Sequence, residues 1–84
     1  MQYKILILRS AEKEMDKLPV PVFKRISIKI LSLESNPRPK GIKKLSGRDE
    51  YRLRVSNYRI LYNISDTDRV VTIISVVHRR ETYR

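Results

Sequence analysis

Four segments of the chain are rich in β-forming residues. Residues 3–8 alternate apolar and mixed side chains, which predicts a mostly buried strand near the start. Residues 51–55, 58–64 and 70–77 repeat this character in the second half. The second half is therefore predicted to be a set of consecutive strands.

Two short polar connections separate those later strands. Ser56 and Asn57 form a candidate two-residue turn, in which Asn57 can adopt positive φ. Residues 65–68 have the Ser/Asp character of a longer turn. Both connections predict hairpins, so the three strands should form an antiparallel meander.

Two helices are predicted between the first strand and the meander. Ser10 can cap a short first helix, to which Met15 and Leu18 give an apolar edge. Pro21 suits the first turn of a second helix, and Asn36 before a proline should end that helix. Its apolar positions recur at helical spacing, namely Val22, Phe23, Ile26, Ile30 and Leu33, with Ile28 and Leu31 widening the stripe.

The predicted order is therefore β-α-α-β-β-β in an α+β fold. An antiparallel sheet should carry the helical hairpin on one face and leave its other face free to be polar. At 84 residues the chain is expected to form one domain, residues 1–84.

Charge narrows the class of partner. Lys and Arg number 19 against 9 Asp and Glu, which gives a net charge of +10. This excess predicts a polyanionic partner, and nucleic acid, an acidic protein segment and an anionic membrane surface all fit the sign. The apolar start is too short for a membrane span and lacks a signal-peptide pattern, so a cytoplasmic location is the default expectation.

The residue types present also limit the chemistry. There is no Cys, which excludes disulfides, a thiolate zinc site and a cysteine nucleophile. His78 is the single histidine and follows an apolar strand, where a lone His is more often structural than catalytic. We therefore expect no metal site and no cofactor, while acid or base work by His78 stays open.

Basic residues gather in places that strand geometry should bring together. Arg52 and Arg54 share one face of their strand, next to Arg59 on the neighbouring strand, and phosphate is the natural anion for such guanidinium groups. The loop of residues 38–48 is interpreted equally well as a ligand-facing segment or a solvated linker. The further candidates for anion binding are Lys40, Lys43, Lys44, Arg48, Arg79 and Arg80.

Three tyrosines accompany this basic group. Tyr58 and Tyr62 share the parity of apolar residues in their strand, which favours a place in the core. Tyr83 lies in a polar tail and is better suited to stacking or hydrogen bonding with a ligand.

Three motifs carry a resemblance to a known family. The sequence YRLRVSNYRILY at residues 51–62, the ending HRRETYR at residues 78–84 and the KKL at residues 43–45 resemble the RelE-type toxins of the RelE/ParE superfamily. The order of elements along the whole chain is similar to that superfamily as well.

The resemblance implies a metal-independent endoribonuclease, restrained by a cognate antitoxin, that cuts messenger RNA on the ribosome. The ribose 2′-hydroxyl would attack the adjacent phosphate while basic residues stabilise the developing charge. By matching position, Arg52 and Arg54 are the paired strand residues and Arg59 stabilises the phosphate. Arg79 would protonate or stabilise the leaving oxygen, and Tyr83 would orient or stack on the nucleotide.

The resemblance leaves the proton acceptor open, because Arg stays protonated at any working pH. His78, Lys43, Lys44 or a ribosomal RNA group could serve. Two other functions are also kept: a ParE-like inhibitor of DNA gyrase, and a non-catalytic basic module that binds RNA.

Overall fold

The computed structural model of the chain describes residues 2–45 and 50–78, and it confirms the predicted α+β order. It adds one short strand, β2, inside the predicted loop. No helix in these two ranges is long and apolar enough to cross a bilayer. The elements are β1 Lys4–Ile7, α1 Arg9–Asp16, α2 Val20–Ser32, β2 Lys43–Lys44, β3 Glu50–Val55, β4 Tyr58–Ser65 and β5 Val70–His78.

The five strands form one mixed sheet in the order β1-β5-β4-β3-β2. The pairings of β3 with β4 and of β4 with β5 are antiparallel, as predicted, and the added strand β2 is antiparallel to β3. The outer pairing differs, since β1 lies parallel to β5 with Lys4 opposite Val70. The helices carry the chain across to the far side of the sheet, and the meander then returns strand by strand, so that β5 arrives beside β1 in the same direction.

The core lies between the helices and one face of the sheet. Met15 of α1 and Ile26 and Ile30 of α2 pack against alternate residues of the strands. The buried strand residues are Tyr51, Leu53, Val55, Ile60, Tyr62, Ile64, Val71, Ile73 and Val76. The prediction that Tyr62 belongs to the core is confirmed, and Tyr58 packs against the core while half-buried.

The starts and ends of the helices correct two sequence predictions. Ser10 does not cap α1, because Leu8 is the N-cap and the Ser10 hydroxyl instead donates to the carbonyl of Ile74 in β5, at 3.1 Å. Pro21 lies in the first turn of α2, as predicted. That helix ends at Ser32, four residues before Asn36.

The apolar stripe of α2 is narrower than predicted. Ile26 and Ile30 are buried, whereas Ile28 is 67% and Leu31 59% exposed. Residues four apart lie on the same face of a helix, and residues two apart do not. The prediction that Ile28 and Leu31 widen the buried stripe is therefore wrong.

Two local features set the register of the meander. The predicted two-residue turn is present, but the positive φ falls on Ser56 (54°) and not on Asn57. The turn types favoured in two-residue hairpins, I′ and II′, both require a positive φ at the first central residue, which is Ser56 here. In the next hairpin, Leu61 pairs with Ser75 and Tyr62 with Ile73, so Ile74 is an extra residue in β5. This β-bulge shifts the core-facing parity of β5 by one residue.

Candidate functional site

Basic side chains line the face of β3 and β4 that points away from the core. Tyr51, Leu53 and Val55 of β3 are buried, so Arg52 and Arg54 between them project to the opposite face. Arg59 of β4 is the direct partner of Arg54 across the two strands. The predicted gathering of Arg52, Arg54 and Arg59 on one face is confirmed by this register.

The three guanidinium groups differ in exposure. Arg54 is exposed and Arg52 is half-buried, as expected for the face away from the helices. Arg59 is only 2% exposed, which the sequence analysis did not predict. An arginine remains charged when buried, and like charges directly opposite each other destabilise a sheet.

These arginines line a depression of about 390 Å³ at the edge of the sheet. We call it the basic pocket. Among the described residues, its lining includes six cationic side chains and no carboxylate. The lining residues are Lys29, Lys40, Gly41, Lys43, Arg52, Leu53, Arg54 and Arg59. Five predicted site residues are thus brought together, and Lys29 and Gly41 are added.

The short length of β2 explains the position of the pocket. Lys43 and Lys44 pair with Arg52 and Tyr51, and no other strand of residues 2–45 and 50–78 lies beside the rest of that β3 edge. Lys43 stands beside Arg52 on the same face, as residues in direct register do. Gly41 precedes β2 with a φ of 90°, a conformation that L side chains rarely adopt, and it turns the chain between Lys40 and Lys43.

Lys29 reaches the pocket from the helix layer, where the sequence analysis placed no site residue. The Nη1 atom of Arg25 donates to the Ser56 hydroxyl at 3.0 Å, which ties α2 to the turn between β3 and β4. Lys29 lies one turn further along the same face of α2. The four-residue spacing was visible in the sequence, but the contact that directs this face towards β3 was not.

Two predicted site residues lie elsewhere. Lys44 pairs with Tyr51 and therefore has the opposite parity to Lys43, and it lines a separate cavity of about 480 Å³ with Arg38 and Asp66. His78 lies opposite Tyr58 on the helix side of the sheet, with their ring centroids 5.1 Å apart in an edge-on arrangement. Neither residue lines the basic pocket.

The remaining predicted residues are Arg48, Arg79, Arg80 and Tyr83, which lie outside the described residues. Within residues 2–45 and 50–78, no three His, Cys, Asp or Glu side chains gather as ligands for a metal ion.

A hydrogen-bonded cluster anchors the loop that supplies Lys40 and Lys43. Arg38 donates to both carboxylate oxygens of Asp66, at 3.1 and 2.9 Å, and the Tyr3 hydroxyl donates to the same carboxylate at 2.6 Å. The hydrogen bonding from Arg38 has the largest effect and that from Tyr3 the next largest, and together they lower the pKa of Asp66 from 3.8 to about 2. The cluster joins the loop after α2 to the turn between β4 and β5.

Tyr62 holds the same loop from the core side of the sheet. Its hydroxyl donates to the carbonyl of Pro37 at 2.8 Å, and its ring stacks on that of Tyr51 with centroids 5.9 Å apart. Burial, reinforced by the nearby Tyr51, raises the pKa of Tyr62 to about 12. The backbone entering the basic pocket is therefore held by a buried hydrogen bond as well as by the surface cluster.

The fold and the sequence place the chain in a known class. The family model described as "ParE toxin of type II toxin-antitoxin system, parDE" matches residues 5–83. The chain therefore belongs to this family of type II toxins, within the RelE/ParE superfamily.

Several of the proteins that the chain is similar to are RelE toxins. A protein of Methanocaldococcus jannaschii named as toxin RelE1 is 32% identical over an alignment that covers all of this chain and 98% of that protein. A double mutant of E. coli toxin RelE in the free state is 32% identical, with a TM-score of 0.81 over 99% of this chain and 90% of that one. The RelBE2 toxin–antitoxin complex of Mycobacterium tuberculosis gives a TM-score of 0.83 at 26% identity, over 94% of this chain and all of that one. The chain is thus a RelE-like toxin of a type II toxin–antitoxin system.

Proposed function

We propose that this toxin is a ribosome-dependent endoribonuclease that cuts messenger RNA in the cytoplasm and so stops translation. The observation that carries the proposal is the basic pocket, in which three arginines on two paired strands and Lys43 converge and no carboxylate stands among the described lining residues. Such a positively charged surface attracts the phosphates of RNA. Similarity to RelE toxins supports the same function.

In the proposed reaction the ribose 2′-hydroxyl attacks the adjacent phosphorus, and the bond to the 5′-oxygen of the next nucleotide breaks. The products are a cyclic phosphate and a free 5′-hydroxyl, so one proton leaves the attacking oxygen and one reaches the leaving oxygen. Arg52, Arg54 and Arg59 stabilise the charge that builds up on the phosphate oxygens. Fixed guanidinium groups are suited to this task because their donors are already oriented.

The pocket also narrows the choice of proton acceptor. Of the protein side chains considered, Lys43 lines the basic pocket, whereas Lys44 and His78 lie outside it. We propose Lys43 or a ribosomal RNA group as the acceptor. Arg79 is proposed to serve the leaving oxygen and Tyr83 to stack on the nucleotide, as the family resemblance implies.

A cognate antitoxin is the proposed partner that restrains the activity. The M. tuberculosis relative was solved in complex with its antitoxin. On this chain, a largely apolar groove of about 510 Å³ between β1 and α2 is lined by Ile7, Phe23 and Leu31 among others, and all three are exposed. An amphipathic antitoxin segment would cover that surface. The proposal of an antitoxin partner is refuted if the protein encoded beside the toxin neither binds the toxin nor relieves its toxicity.

Primer extension on a defined message in a purified translation system tests the catalytic proposal. Arg54→Ala is the informative variant, because Arg54 is exposed and its loss should leave the fold intact. Removing one preorganised charge donor is expected to slow cutting about 10²-fold. Arg9→Ala, an exposed cation of α1 that does not line the basic pocket, is the matched control and should cut normally.

The same assay includes Arg79→Ala and a reaction without ribosomes. Cuts that require ribosomes and disappear in Arg54→Ala and Arg79→Ala would support the proposal. Equal cutting by Arg54→Ala and Arg9→Ala would contradict the role of the basic pocket.

Inhibition of DNA gyrase is the second candidate function, and the match to the ParE family model favours it. A gyrase poison would leave the message uncut while blocking supercoiling or religation of DNA. A gyrase supercoiling assay with the intact toxin distinguishes the two functions. An uncut message together with blocked supercoiling would replace the first proposal. A non-catalytic RNA-binding module would instead bind RNA and show neither activity.

A further inference from the structure

The basic pocket holds more positive charge than one phosphodiester can use. Three arginines and Lys43 stand on β2, β3 and β4, while Lys29 and Lys40 enter from α2 and from the loop before β2. One phosphodiester carries a single negative charge, whereas the described lining offers five positive side chains even when Arg59 is left out. The lining therefore divides into a strand group and a second pair of cations on neighbouring elements.

We propose that Lys29 and Lys40 form a second phosphate subsite, which binds the phosphodiester next to the one held by Arg52, Arg54 and Arg59. The ligand is a single RNA strand, whose backbone crosses the pocket from the strand group to the two lysines. This inference rests on the proposed function, because it takes RNA as the substrate. It assigns a role to Lys29, which the family resemblance did not.

The position of Lys29 is fixed by the rest of α2. The bond from Arg25 to Ser56 sets the rotation of the helix over the end of β3. Ile26 and Ile30, which flank Lys29 on the core side, are buried. The base of the Lys29 side chain is therefore held at the mouth of the basic pocket, while its ammonium group is free to follow a phosphate.

Lys40 is also presented by an anchored backbone. The Tyr62 hydroxyl holds the carbonyl of Pro37, and Arg38 is bound to Asp66. Gly41 then makes the turn into β2 with its positive φ. Lys40 thus projects from a short segment that is fixed on both sides.

The chemistry of the two groups matches two different tasks. The planar fork of an arginine favours one orientation of a phosphate, which suits the reacting group. An ammonium group on a flexible stem is a point charge, which suits a phosphate that needs only to be retained. A positively charged groove of this kind follows the backbone of a single strand without reading its bases.

Binding of short 2′-O-methyl oligonucleotides tests the subsite, because the blocked hydroxyl prevents cutting. A dinucleotide has one phosphate and a trinucleotide has two. We expect the intact toxin to bind the trinucleotide more tightly, and Lys29→Ala and Lys40→Ala to lose that gain while binding the dinucleotide normally. Each lost contact between a lysine and a phosphate of a single strand lowers the slope of log affinity against log salt concentration by about 0.7. This corresponds to about a five-fold loss of affinity at 0.1 M salt.

Lys24→Ala is the matched control, since Lys24 is an exposed lysine of the same helix that does not line the basic pocket. Its trinucleotide affinity and salt slope should equal those of the intact toxin. Chemical-shift titration provides the affinities, and thermal melting confirms that each variant is folded. Equal behaviour of Lys29→Ala and Lys24→Ala, or no gain from the second phosphate in the intact toxin, would overturn the subsite.

The two proposals can fail separately. A toxin that retains the second phosphate through Lys29 but leaves messages uncut on ribosomes would refute the proposed function alone. A toxin that cuts messages while Lys29→Ala behaves like Lys24→Ala would refute the subsite alone.

Discussion

Glu14 of α1 secures the β-bulge of β5, and its removal should destabilise the fold. One oxygen of its carboxylate accepts a hydrogen bond from the Ser75 hydroxyl at 2.8 Å and another from the backbone N–H of Val76 at 2.9 Å. These donors directly follow Ile74, the extra residue of the bulge. The carboxylate gives β5 a partner just beyond Ile73, where its pairing with β1 ends.

The expected cost follows from the number and setting of these bonds. A hydrogen bond to a charged group contributes roughly 1.5–3 kcal/mol, and leaving a buried donor without a partner adds to the loss. Both bonds use one oxygen and Glu14 is half-buried, so we take the lower end and expect Glu14→Ala to cost about 2 kcal/mol of unfolding free energy. For a domain of this size, that corresponds to a fall in Tm of roughly 8–16 °C.

Urea unfolding and thermal melting of three variants measure this effect. Glu14→Gln should fall between the intact protein and Glu14→Ala, since an amide oxygen accepts both bonds without the charge. Glu12→Ala is the matched control, because Glu12 is exposed in the first turn of the same helix and should cost only about 0.3–1 kcal/mol through the helix dipole. If Glu14→Ala costs no more than Glu12→Ala, the reasoning about the bulge is refuted.

Two further predictions concern pH. The folded state holds the pKa of Asp66 at about 2, below its ordinary 3.8, so the unfolded chain binds more protons between these values. Stability should therefore fall as the pH drops from about 4 to about 2, and Asp66→Asn should flatten this part of the urea-midpoint profile; an unchanged profile would contradict the role of the carboxylate. The pKa of Tyr62 is raised from 10.0 to about 12, so stability should be lost as the pH rises through this window, and absorbance titration of Tyr62→Phe should lack the late-ionising phenol.

The sequence was sufficient to predict the order of the two helices and the four longer strands, because the period of apolar residues changes clearly between the helices and the strands. It was also sufficient for the gathering of Arg52, Arg54 and Arg59, since alternation within a strand and a two-residue turn together determine which residues share a face. Register across a tight hairpin is a local property, and local properties can be read from the chain.

Properties that depend on distant contacts were not predicted. The place of β1 beside β5 joins the two ends of the chain, and no local pattern encodes it. The bulge at Ile74 puts His78 on the helix side with Tyr58, and the short β2 separates Lys43 from Lys44. Lys29 likewise reaches the basic pocket only because Arg25 contacts Ser56. In each case a tertiary contact decides which side chains meet.

The parallel pairing of β1 with β5 has a consequence for the synthesis of the toxin. Residues 4–7 find their strand partners in residues 70–73, so β1 cannot join the sheet until residues 70–73 have been synthesised. Closing so long a loop is slow compared with forming a hairpin. A copy whose synthesis terminates before residue 70 therefore lacks the strand beside which β1 folds.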